Sequence, residues 1–189
     1  MPRIERLERL ILAIRPKVGL KTYVALVWTA IRRHPLAWTS FALFAVAGFA
    51  FSHFYWLRFT LTESMPYSLV MVEKTAPAPG SLKRGDLVAW RWPGGLIYPE
   101  GAVFLKVVKG LPGDPVTTVG RDYYVNDEYL GRAKTVSRYG HRLVANQPGT
   151  VPAGHYYLYA PHRDSLDSRY AATGYVPHER ILGKAYGLF

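Results

Sequence analysis

At 189 residues, a formal charge of +11 and a pI near 9.9, the chain suits one modest domain with an anchor, and its basic balance points to anionic partners, lipid or nucleic acid. The absence of cysteine excludes disulfides and thiolate metal sites, and the six histidines (34, 53, 141, 155, 162 and 178) include no pair at metal-site spacing, so neither metal nor cofactor is expected. Charge distribution favours lipid: Arg3, Arg6, Arg9, Arg15, Lys17, Lys21, Arg32 and Arg33 stand against Glu5 and Glu8, placing +6 of the +11 just ahead of the long apolar run, and no nucleic acid partner is expected.

Residues 3–15 set Ile4, Leu7, Leu10, Ile11 and Ile14 at helical spacing among arginines and glutamates. That predicts an amphipathic helix with a basic polar face, suited to a membrane surface or to a partner helix. Pro16 and Gly19 break it, and residues 21–33 resume an apolar pattern too short to span. Between Arg33 and Arg58 lie 24 residues without Lys, Arg, Asp or Glu. As a helix these reach roughly 36 Å against a hydrocarbon core of about 30 Å, with Trp38 and Tyr55-Trp56 at belt positions. The run starts too late and is too long for a cleaved signal peptide, and no small-residue cleavage site follows it. The expected organisation is a basic, amphipathic cytoplasmic helical segment over 1–33, a retained transmembrane helix over 34–57, and an extracytoplasmic domain over 58–189.

That last domain is expected to be mainly β and compact. Runs at Leu69–Val72, Leu87–Trp92, Val103–Val108, Val116–Val119, Tyr123–Val125 and Tyr156–Tyr159 are punctuated by Gly, Pro and Asp breaks. Asn126-Asp127 reads as a hairpin turn, and residues 74–83 as a surface loop.

Two residues carry candidate chemistry. Ser64 follows the apolar run closely, in Thr62-Glu63-Ser64-Met65-Pro66, where Pro66 favours an extended or turning backbone. Lys106 lies in Val103-Phe104-Leu105-Lys106-Val107-Val108, apolar on both faces if a strand. A lysine there is either neutral or paired by burial, or it snorkels to water at a sheet edge. In the first case its pKa falls from about 10.4 and it can take a proton from a serine hydroxyl.

These stretches resemble the serine–lysine signal peptidase I family. Glu63-Ser64-Met65-Pro66 resembles the nucleophile motif, Arg84–Trp90 the strand after it, and Phe104–Asp114 the lysine motif, with Lys106 four residues before Gly110. Val151–Tyr157 resembles the strand before the last box, and Arg163–Tyr170 followed by Gly174-Tyr175-Val176-Pro177 the box itself. The resemblance implies a signal-peptidase-like β catalytic domain on a single-pass anchor in a bacterial inner membrane, N-terminus cytoplasmic and catalytic domain periplasmic. It implies Ser64 as nucleophile and Lys106 as general base, an oxyanion hole from the Ser64 N–H and the Thr62 hydroxyl, and Ser165, Asp167 and Arg169 as supporting residues. The substrate it implies is a leader-bearing preprotein.

Pro66 follows Met65 directly, where housekeeping members place one more residue between. This Ser-x-Pro form, the short chain and the lack of a large inserted β-domain resemble the branch serving conjugative transfer systems, the TraF-type pilin peptidases. A pilin precursor is then the expected substrate, with cyclisation as an alternative to hydrolysis and a conjugation or secretion apparatus as partner. Asp167-Ser168-Arg169-Tyr170 keeps the form of the housekeeping enzymes, whereas Ala160-Pro161-His162 replaces Gly-Asp-Asn and Glu63 stands where glycine is common. A housekeeping signal peptidase and an inactive membrane-anchored scaffold of a secretion apparatus are the alternatives. A Ser–His–Asp hydrolase lacks its Gly-x-Ser-x-Gly elbow here.

Overall fold

A computed structural model describes residues 19–60 and 64–189. The amphipathic helix expected over residues 3–15 lies outside them. The chain divides into two compact units after Ala50. Helix α1 (Leu20–Arg33) closes with the His34 N–H on the Ala30 carbonyl, and Pro35, suited to a first helical position, opens α2 (Pro35–Phe54). Helix α2 is apolar all round and buries no residue; Phe41, Phe44 and Phe49 stand exposed, and its length and composition suffice to cross a bilayer. The helix is shorter than the 34–57 run suggests. Tyr55, Trp56 and Leu57 leave it for strand β1 (Tyr55–Phe59), because their backbone pairs with Glu73, Val72 and Met71.

The second unit is mainly β. Strands β2 (Leu69–Glu73), β3 (Leu87–Arg91), β4 (Val103–Gly110), β5 (Pro115–Val119), β6 (Asp122–Val125), β7 (Glu128–Arg132), β8 (Gly149–Thr150), β9 (His155–Tyr159), β10 (Val176–Pro177) and β11 (Ile181–Gly187) follow in chain order. They form a seven-stranded sheet, β1-β2-β11-β3-β4-β9-β10, and a four-stranded sheet, β7-β6-β5-β8. All six strand segments read from the sequence are strands here; β1 and β11 were not anticipated. Between β6 and β7, Asn126 and Asp127 take φ of 49° and 63°, the left-handed pair of a type I′ hairpin.

One core gathers Val88, Trp90, Trp92, Val108, Tyr156, Leu158, Val176 and Ile181 from β3, β4, β9, β10, β11 and their flanks. Leu82 joins it, so the loop at 74–83 is pinned by one fully buried side chain. A second core sits against the four-stranded sheet around Val116, Tyr123, Val125, Tyr157 and Tyr170. The two cores leave β4 in the interior of the large sheet with β3 and β9 on its sides.

Candidate active site

Lys106 stands opposite Val88 in the β3–β4 ladder. Strand alternation turns it to the same face as Phe104 and Val108, and β3 and β9 leave it no edge from which to reach water. It is 3% exposed. Its Nζ donates to Ser165 Oγ at 2.9 Å and lies 5.6 Å from the centre of the Phe104 ring. Burial pushes its pKa down to about 8; the Asp167 carboxylate works against that shift and the Arg169 guanidinium adds to it. The amine therefore has a substantial neutral fraction near physiological pH.

Ser165 is 2% exposed and sits in the segment after β9, its N–H on the His162 carbonyl at 3.0 Å. The same segment carries Asp167 and Arg169, both buried. Arg169 Nε and Nη2 donate to the two carboxylate oxygens of Asp167 at 2.9 and 2.8 Å. Asp167 also accepts the Ala160 and Arg169 N–H groups at 3.2 Å. Burial disfavours the Arg169 charge, but the hydrogen bonds and negative charge of Asp167 outweigh it and hold the guanidinium protonated beyond its ordinary value. The guanidinium lies 5.0 Å from the Tyr159 ring centre, and Ser168 caps the strand by accepting the Leu158 N–H at 2.9 Å. The segment is thus bonded to β9 through Ser168, on the C-terminal side of Ser165.

Ser64 lies in the β1–β2 connection, half-buried beside a buried Met65. The connection is closed at its base by the Thr60 N–H on the Ser68 carbonyl at 3.0 Å. The end of the chain holds its far side: Leu69 N–H donates to Phe189 O at 3.1 Å and Leu188 N–H to Leu69 O at 2.9 Å. Ser64, Lys106 and Ser165 line one cleft of about 600 Å³. Thr62 and Glu63 lie outside the described residues. A hydroxyl and an amine whose pKa burial lowers to about 8 in one cleft are the parts of an acyl-transfer site in which the neutral amine takes the hydroxyl proton.

The cleft has walls that the sequence reasoning missed. Leu96, Ile97, Tyr98 and Phe104 form an apolar one. Lys134, Arg138, His141, His162 and Asp164 contribute a polar one. The available signal was residues 132–142, which carry Arg132, Lys134, Arg138, His141 and Arg142 without an acidic residue.

Residues 33–189 match the model of the family described as signal peptidase, peptidase S26. The chain belongs to that family. It is 31% identical over 171 residues to signal peptidase I of Pseudomonas aeruginosa, covering 69% of this chain and 58% of the relative. Signal peptidase I U of Bacillus subtilis is 31% identical over 123 residues, covering 60% of this chain and 62% of the relative. The chain therefore spans about three-fifths of the length of these relatives. A crystal structure of a signal peptidase I from Enterococcus faecalis V583 aligns with a TM-score of 0.36 at 24% identity, covering 57% of this chain and 98% of that one.

Proposed function

We propose that this chain is a membrane-anchored serine endopeptidase that removes leader peptides from translocated preproteins. One observation carries the reading: a lysine 3% exposed, with its pKa lowered to about 8, faces the cleft that Ser64 lines. Neutral Lys106 takes the Ser64 proton as Oγ attacks the scissile carbonyl, and the ammonium then gives that proton to the leaving amine. A water attacks the acyl-enzyme with Lys106 as base, and the proton returns to Ser64 Oγ as the acyl group leaves. Ser165 orients the amine through its hydrogen bond, and the Asp167–Arg169 pair stiffens the segment that carries Ser165. The Ser64 N–H and the Thr62 hydroxyl serve as oxyanion donors, each worth about 3–4 kcal/mol in such sites. Helix α2 is the anchor, with the basic N-terminal flank in the cytoplasm and residues 58–189 in the periplasm, an orientation supported by the charge bias around the apolar run. The full chain in detergent should cleave a leader-bearing preprotein, and S64A and K106M should not. Equal processing by either variant would sink the dyad, and no processing by the wild type would leave the scaffold reading standing.

The finer reading is a conjugative pilin precursor as substrate, released by hydrolysis or by cyclisation onto its own N-terminus, beside a conjugation apparatus. Its support is the Ser64-Met65-Pro66 form. The form of Asp167-Ser168-Arg169-Tyr170 and the likeness to signal peptidase I relatives favour the housekeeping reading instead. Competition between a pilin precursor and a general secretory preprotein separates the two. Equal kcat/KM for both would remove the pilin assignment.

A further inference from the structure

Helix α1 has two faces. At 3.6 residues per turn Leu20, Val24, Val27 and Ile31 fall on one stripe, with Tyr23 on one flank of it and Trp28 on the other. Lys21, Thr22, Ala25, Thr29 and Arg32 fall on the opposite side, and the helix closes on Arg32-Arg33 without an acidic residue anywhere in it. Leu26 is the one large apolar side chain off the stripe. At the boundary between the faces the Arg32 guanidinium lies 5.2 Å from the centre of the Trp28 ring, its i, i+4 neighbour. No residue of α1 is buried: Leu20 is 79% exposed, Tyr23 62% and Val24 58%. A 14-residue helix rich in Val, Thr and aromatic residues is marginal in water and draws its stability from whatever covers its apolar face.

The neighbouring helix says what that cover is. Helix α2 has 20 residues, about 30 Å at 1.5 Å per residue, which is the thickness of a bilayer's hydrocarbon core. It fills the core alone, so α1 ends at the headgroup level of the leaflet that α2 enters. Between them His34 leaves helical geometry, with φ −136° and ψ 62°. Its N–H still closes α1 on the Ala30 carbonyl, and its own carbonyl opens α2 by accepting the Trp38 N–H, both at 3.2 Å. The chain can therefore turn at His34 with both peptide groups of that residue bonded. At this depth an apolar stripe meets the ends of the acyl chains, tyrosine and tryptophan meet the interface, and Lys21, Arg32 and Arg33 meet phosphate.

We infer that α1 is a second membrane element, an interfacial helix lying on the leaflet that α2 enters, with its stripe against acyl chains and its three cations on anionic headgroups. The inference rests on the reading of α2 as the anchor and adds a lipid-binding surface to it. The occupant is lipid rather than a partner protein because the surface is continuous with the span: Arg33 is one residue from the start of that span at Pro35, and its charge is opposite to that of an anionic leaflet.

The chain has no cysteine, so single-cysteine variants report one position each. The test places a nitroxide at V24C, I31C, T22C, T29C and A45C of the full chain in nanodiscs of phosphatidylglycerol and phosphatidylcholine, and reads depth from accessibility to oxygen against a water-soluble nickel chelate. V24C and I31C should lie about 5–10 Å below the headgroups, with T22C and T29C in water. A fluorophore at V24C should be quenched by spin-labelled phosphatidylglycerol about fivefold more than by spin-labelled phosphatidylcholine at equal mole fraction, the order contributed by one basic side chain at an anionic surface, and K21Q/R32Q/R33Q should abolish that preference. Equal exposure of V24C and T29C to the chelate would overturn the inference. So would a V24C label shielded from both oxygen and chelate, which would mean that protein, a partner or a second copy, covers the stripe. Equal quenching by the two lipids would overturn the recognition of anionic headgroups. A45C, midway along α2, should read as the bilayer centre; if it does not, the anchor reading falls, and this one with it.

Discussion

Replacing Lys106 by Met should abolish cleavage and at the same time stabilise the fold. In the native chain burial moves the lysine pKa from the ordinary 10.5 to about 8, which means the fold disfavours the ammonium by about 3 kcal/mol. The unfolded chain binds that proton up to about pH 10.5 and the folded chain only up to about pH 8. The full penalty therefore acts below pH 8, and stability rises with pH between 8 and 10.5 as the penalty fades. Methionine fills a similar volume without a charge. Against this, Ser165 Oγ, 2% exposed, loses its lysine partner, at about 1 kcal/mol. The net gain at pH 7 is about 2 kcal/mol, roughly 4–8 °C in Tm for a chain of this size. Thermal unfolding of the full chain in detergent, followed by tryptophan fluorescence at pH 7 and pH 10, reads it directly. The gain should shrink towards zero, or reverse by the lost Ser165 contact, at the higher pH. A variant less stable than wild type at pH 7, or a Tm difference identical at both pH values, would refute the argument that burial disfavours the ammonium.

Three further outcomes follow from the same geometry. With Lys106 titrating at about 8, kcat/KM on a leader-bearing peptide should rise about tenfold from pH 7 to pH 9 and then level; a rate flat over that interval contradicts a lysine base. S165A should lower the plateau by at least about tenfold while the midpoint stays near 8, since burial, Asp167 and Arg169 set that pKa; a midpoint that moves with the serine would make Ser165 an electrostatic rather than a positioning residue. G187A should lower kcat and cost about 1–3 kcal/mol, because a Cβ on Gly187 would overlap the Tyr67 ring and push on the connection that carries Ser64; unchanged unfolding and turnover would show that the ring can move aside freely.

The strands of the catalytic unit could be read from the sequence because each is a short apolar or β-branched run bounded by turn residues, and the type I′ turn was spelled by Asn126-Asp127. Strand β1 was not legible. Tyr55-Trp56-Leu57 continue the apolar run of the helix without a break, and only pairing with Met71, Val72 and Glu73 makes them a strand. Strand β11 was hidden for a related reason: Gly183 and Gly187 weaken its local propensity, and its place comes from ladders to β2 and β3 that join residues some hundred positions apart. At the site, periodicity left Lys106 equally suited to a buried strand or a sheet edge. What decides is the strand order, with β3 on one side and β9 on the other, and strand order is a property of the whole chain. Residues 132–142 form a basic run in the sequence, but nothing local says that Lys134, Arg138 and His141 line the same cleft as Ser64.

Strand order also determines how the two halves of the site are held. Counting from β2 through β11 and β3 to β4 gives three strand spacings of about 4.8 Å, so on a flat sheet the start of β2 and Lys106 would stand about 14 Å apart. Ser64 and Lys106 nevertheless line one cleft, which requires the twist of the sheet and the reach of the β1–β2 connection to bring the serine across. The lysine is fixed by the β3 ladder, by the β9 ladder that begins at the next residue, Val107, and by its bond to the Ser165 segment, a rigid setting. Among the described residues, the connection that carries the serine is held by the Thr60–Ser68 closure, by the Thr60 hydroxyl on the Tyr67 carbonyl, and by the clasp of Leu188 and Phe189 on Ser68 and Leu69. Perturbing β11, which supplies no group to the cleft, should change how often Ser64 is correctly placed, and so lower kcat, while leaving the pH midpoint set by Lys106 where it is.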